Sequence, residues 1–228
     1  MLSDIEQEIL ELHEQNYTPR EIASFLGVRI SQVRGVIRSN GGYQVLRVVH
    51  EGDLPPVSSC LVNENCAKHL LDATLKDDEI LSSLALVLVT RFNGYDKFLV
   101  CSYLVDYFCL GVKDTMEVRK LDKSRYDYFV AHSYASFPDG YREISLSEAQ
   151  GIVYGSVEYA QRLGFSPPGE FAETQKHLGE WDGALKLQFG CEGKPLYING
   201  PYDNPRQVIK TLESTVGRGN FDYILGIG

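Results

Sequence analysis

Two apolar runs, "SLALVLVTRF" (83–92) and "KFLVCSYLVDYFCLGV" (97–112), are joined by "NGYD" at 93–96. They are rich in β-branched and aromatic side chains, and Asn-Gly is a strong signal for a tight hairpin turn. A chain carrying such a pair is committed to a sheet, because two long apolar strands must bury at least one shared face. An antiparallel hairpin at the centre of the larger part of the molecule is therefore expected, its second strand running through to Val112.

Helices flank that sheet in the sequence. Ser145 and Glu148 form a capping box ahead of a periodic stretch that runs to Leu163, where Gly164 stops it. Asn204-Pro205 opens a last helix whose Val208, Ile209, Leu212 and Val216 share one side, and Gly217 closes it. "ALKLQF" and "PLYING", split by "GCEGK", read as a second hairpin. The expected class is α+β, with an antiparallel sheet packed by helices on one face.

The first forty residues have a different character. Ile5, Ile9 and Leu12 recur at helical spacing among acids, with Ser3 available as a cap. Thr18-Pro19-Arg20-Glu21 is a capping box with proline at the first helical position. Ile22, Ala23, Phe25 and Leu26 supply the buried face of this second helix, and Gly27 permits the left-handed turn that ends it. Ser31 can then cap a third helix, with Val33, Val36 and Ile37 inward and Gln32, Arg34, Gly35 and Arg38 outward. The spacing predicts a helix-turn-helix, with residues 31–39 as recognition helix. The module is placed at 1–42 and the larger α+β domain at 57–228. Between them, "SNGGYQ" (39–44) and "EGDLPPVSS" (51–59) are rich in turn formers, with "YQVLRVVH" (43–50) as a candidate strand.

Charge supports the same division. The chain of 228 residues carries a net charge of -9, which argues against indiscriminate coating of nucleic acid. Yet between residues 20 and 47 five arginines stand against Glu21 alone. A basic face on an otherwise acidic protein is what one-sided docking on duplex DNA requires. Arg34 and Arg38, one turn apart, can reach guanine edges or phosphates. Gln32 can read adenine, Arg29 can clamp phosphate, and Ser31 opens the helix beside them. One module makes few contacts, so tight binding calls for a homodimer or for help from the second domain.

Composition is that of a globular protein, 43% hydrophobic and 23% charged. The opening "MLSDIEQEIL" lacks a basic region before an apolar stretch, and "LALVLV" is far shorter than a membrane span. Five cysteines, an odd number, fit free thiols, so a cytoplasmic protein that does not enter a membrane is expected. No cofactor is expected for a DNA-docking protein.

The stretches "YLVDYFCLGVKDT" (103–115), "VYGSVEYAQRLGF" (153–165) and "GKPLYINGPYDNP" (193–205), behind an N-terminal helix-turn-helix, resemble a family of bacterial proteins of uncharacterised activity. That resemblance implies the domain order and transfers no reaction.

Three carboxylates offer chemistry. Asp106 interrupts an apolar strand, where a carboxylate needs an ion partner or a metal. With Glu158 on the long helix and Asp203 before the last one, it is a candidate magnesium or manganese site for metal-dependent phosphodiester cleavage, the alternative to a docking protein. The competing reading pairs Asp106 with Lys113 or Arg91. Helical projection turns Glu158 about 140° from the apolar stripe centred on Val153, on the side of Gly151 and Gly155. Paired glycines one turn apart let another segment approach that side. Cys109 has no histidine near it in sequence, though His132 or His177 can be brought up by the fold, and it reads as a small buried hydrophobe. Cys60, Cys66 and His69 lack the paired C-x2-C spacing of structural zinc sites. A third reading is an adaptor using both domains for protein contacts.

Overall fold

The computed structural model describes residues 4–14, 19–29, 32–33, 36, 54–74 and 82–225. By internal contacts the chain divides into two units, residues 1–56 with 92–97 and residues 57–91 with 98–228.

The N-terminal unit holds α1 (Asp4–Glu14) and α2 (Pro19–Leu26). Gly27 has φ +64°, so the expected glycine turn ends α2. Helical backbone resumes at Gln32, Val33 and Val36, where the Gln32 and Val33 amides both donate to the Arg29 carbonyl. Ile9, Ile22, Val33 and Val36 are buried together, with Leu12, Ala23 and Leu26 against them. Phe25, expected in that core, is 74% exposed, and Ile5 is 45% exposed. The core needs only the stripe through Ile22 and Leu26, and Phe25 stands to one side of it. The candidate strand at 43–50 and the cap residues Ser3, Thr18 and Ser31 lie outside the described residues.

In the larger unit β1 (Val57–Asn63), β2 (Leu84–Phe92), β3 (Lys97–Asp106), β4 (Gly111–Asp122) and β5 (Tyr141–Ile144) form a five-stranded antiparallel sheet in the order β4-β3-β2-β1-β5. The class is α+β. The β2–β3 hairpin turns at the expected place, through Gly94 and Asp96, both at positive φ, but in a longer loop than a two-residue Asn-Gly turn, which would put Asn93 at positive φ as well.

Helices cover both faces of this sheet, not one. Alternation along the strands sends Cys60, Val62, Val87, Val89, Cys101, Tyr103 and Val105 to a core shared with α3 (Glu64–Leu70), α5 (Leu146–Arg162) and α6 (Phe171–Leu178). Leu61, Leu86 and Leu88 point the other way, to Val130 of α4 (Lys123–Ser133) and to Tyr134. A strand buried on both faces has no polar side to alternate with, which is why β2 reads as "LALVLV".

α5 starts at the expected capping box, with Ser145 and Glu148 each accepting from the other's backbone amide. α7 (Pro205–Thr215) starts at Asn204, whose side chain accepts from the Gln207 amide. Cys109, Leu163, Tyr197, Leu212 and Phe221 form a smaller core beneath α7. The second expected hairpin is not there. Cys191 and Lys194 do close a tight turn. β6 (Leu196–Ile198), however, pairs in parallel with β7 (Asp222–Ile224), and residues 184–189 join no sheet. Among the described residues no helix is long and apolar enough to cross a membrane.

Candidate functional site

Gln32 is exposed, while Val33 and Val36, on the same helical stretch, are buried; Arg29, just ahead of it, is exposed too. The third helical segment thus has one face in the core and one outside it. Ser31, Arg34 and Arg38 lie outside the described residues.

The candidate acidic site is built around the end of β3. Asp106 does not interrupt a strand; it terminates one. Residues 107–110 turn, and β4 begins at Gly111. The Asp106 carboxylate makes that turn: Oδ1 accepts from the amides of Phe108 at 3.1 Å and Cys109 at 3.3 Å, and Oδ2 from that of Leu110 at 3.3 Å. Ser83 adds a hydroxyl. A side chain that satisfies its own downstream amides lets three buried residues and the half-buried Leu110 reverse direction without unpaired donors. Burial pushes the carboxyl up to about 6 against the pull of those donors and of the nearby Lys113 ammonium.

Lys113 pairs with Asp203, its Nζ 2.9 Å from Oδ1 and 3.0 Å from Oδ2. Arg91, the other partner expected for Asp106, turns away: its guanidinium donates to the carbonyls of His177 and Leu178 at 2.8 and 3.4 Å. There it closes the C-terminal end of α6, where a cation is favoured. Asp106 and Asp203 therefore share a neighbourhood that already holds a lysine. The Cys109 thiol feels Asp106, Lys113 and Asp203 together. Glu158 is apart from them, exposed on the outer side of α5. Among the described residues no group of three or more His, Cys, Asp or Glu side chains is arranged to hold a metal ion.

The glycines on that outer side do admit a neighbour. A Cβ on Gly151 would lie 2.9 Å from Leu185, and one on Gly155 2.8 Å from Phe189. Cys109 is fully buried, and burial raises its thiol far above the ordinary range. His177 is occupied elsewhere, its Nε2 3.1 Å from the Val89 carbonyl, and His132 stacks on Tyr128. Cys60 is likewise buried and pushed up to about 11. None of these thiols is poised as a nucleophile.

Sequence reasoning missed the Lys113–Asp203 pair and the Arg91 clamp. Both join residues more than 80 positions apart; Arg91 was signalled by a charge inside an otherwise apolar strand, whereas Lys113, on the charge-rich β4, carried no such signal. In comparisons with known proteins, no family model, no curated protein and no solved structure matches the chain.

Proposed function

We propose that the chain is a DNA-binding protein. Residues 1–42 act as a helix-turn-helix module, and the α+β domain at 57–228 dimerises, senses or recruits. The observation that carries this reading is the sidedness of the third helical segment, with Val33 and Val36 buried against Ile9 and Ile22 while Gln32 is exposed, as is Arg29 just ahead of it. The glycine turn at Gly27 and the five arginines against one acid between 20 and 47 support it. In this reading Gln32, Arg34 and Arg38 are the residues that contact base edges, and Arg29 and Ser31 those that contact phosphates. The protein works in the cytoplasm, as a homodimer or with added contacts from the second domain, because one module alone makes too few contacts.

The test is a comparison of wild type with the Arg34→Ala, Arg38→Ala double variant for binding to duplex DNA. Loss of binding by about tenfold or more is expected, since two guanidinium contacts are removed. Equal binding by the double variant overturns the assignment of the reading face.

A further inference from the structure

Residues 181–189 lie outside every helix and strand, yet their burial alternates. Trp181, Leu185, Leu187 and Phe189 are half-buried, and Ala184, Lys186 and Gln188 are exposed. A period of two is that of a strand. The extended part begins after Gly183, at φ +68°, where the Asp182 carboxylate accepts from the Ala184 amide at 2.9 Å.

The inward side chains hold this stretch against α5. Trp181 stacks on Tyr154 with ring centroids 5.7 Å apart. Leu185 covers Gly151, and Phe189 covers Gly155 and stacks on Tyr159 at 5.8 Å. Held in this way, the backbone has little freedom left to lose. Nonetheless, among the described residues, no backbone N–H or carbonyl from Leu185 to Phe189 has a hydrogen-bond partner. An anchored, unpaired backbone with the alternation of a strand is a template for another strand.

We infer that residues 184–189 are a docking strand for an extended acidic segment of another protein, which adds alongside as a neighbouring strand. Main-chain bonds give such a complex its alignment, and the outward side chains give it selectivity. Of Ala184, Lys186 and Gln188, only Lys186 is charged, so the residue facing it is a carboxylate. Its ammonium stays beside the strand, 5.8 Å from the Trp181 ring centroid.

The same stretch of a second copy does not supply that carboxylate. Antiparallel self-pairing centred on residue 186 sets Lys186 against Lys186. Centring it on 185 or 187 sets Lys186 against Ala184 or Gln188. Asp182 is removed from the strand by the bend at Gly183, and its carboxylate already accepts from Ala184.

The experiment is fluorescence anisotropy with the full chain and two labelled seven-residue peptides of alternating threonine and valine, one with glutamate and one with lysine at the centre. The glutamate peptide is expected to bind about tenfold more tightly, and Lys186→Glu is expected to reverse that order. Gln188→Pro removes a ladder donor and bends the strand. It is expected to lower binding of the glutamate peptide about tenfold while the protein still unfolds cooperatively at the wild-type temperature. Equal binding of the two peptides, binding that survives Gln188→Pro, or no binding up to about 1 mM overturns the inference. So does self-association in sedimentation that Gln188→Pro abolishes without any peptide binding, since that result gives the strand to a second copy.

Discussion

Lys113 and Asp203 meet at 2.9 Å, the lysine on β4 and the aspartate just ahead of α7, their side chains only 20% and 10% exposed. Asp203 also accepts from the Gly200 amide at 2.8 Å. The carboxylate thus fixes the loop between β6 and α7 while the ammonium ties that loop to the sheet. A charge left alone in such a place is expensive, whereas the pair itself adds little over an apolar replacement. Asp203→Asn keeps an acceptor for Gly200 and strands the lysine. It is expected to cost about 3 kcal/mol, read from urea unfolding. In a double-mutant cycle with Lys113→Met, the second change is expected to recover at least about 1 kcal/mol. Simple additivity would show that the two groups do not interact.

The turn after β3 has a pH signature. Asp106 holds its proton more tightly in the folded chain, at about 6, than the ordinary carboxylate near 3.8. A raised folded value gives a contribution that is full below about 4 and is lost as pH rises through about 6. Over that window, stability is expected to fall by about 3 kcal/mol from this group. Asp106→Asn keeps the Oδ1 acceptor for Phe108 and Cys109, loses the one for Leu110, and removes the titration. Urea unfolding between pH 4 and 7 should therefore show a slope in the wild type that the variant lacks. A variant with the same slope would assign the pH dependence to other carboxylates.

Gly111 sets how closely β4 approaches α5. It has φ +68°, and an added Cβ would lie 2.7 Å from the Ala160 Cβ and 2.8 Å from the Ser156 carbonyl. Gly111→Ala combines backbone strain with overpacking against a helix backbone, each worth about 1 to 3 kcal/mol. A loss of about 3 kcal/mol or more is expected, with the thermal midpoint as the measurement. Gly219, also at positive φ but with no atom within 4 Å of an added Cβ, is the control. Gly219→Ala should cost about 1 kcal/mol, and an equal loss at both positions would show that packing at Gly111 is unimportant.

What could be read in the sequence was local. The Ser145 box, the Asn204-Pro205 start and the Asn-Gly turn act within four residues, so their chemistry is complete in a short window. Asp106 was noticed for the right reason, a carboxylate among apolar side chains. Its partners proved to be its own next amides, so one expected strand became two strands and a turn. The alternation at 184–189 showed an extended chain but not its neighbour: Leu185 and Phe189 pack on Gly151 and Gly155, and no adjacent strand completes a hairpin. Glycines 151 and 155 announced that approach, yet nothing in either stretch named the other. The face of α4 on the sheet was missed because β2, buried on both sides, carries no polar alternation to mark a second layer.

The central claim is duplex DNA docking by residues 1–42, and the most direct measurement is an anisotropy titration of the full chain with duplex DNA at two salt concentrations. It is run in EDTA and then in magnesium, with the DNA checked on a gel. Binding that weakens as salt rises, with a log–log slope of about -0.9 for each phosphate neutralised, and DNA that stays intact in both buffers, is the expected result. No binding at low salt contradicts the claim, and cutting that appears only with magnesium moves the function to the carboxylates of the larger domain.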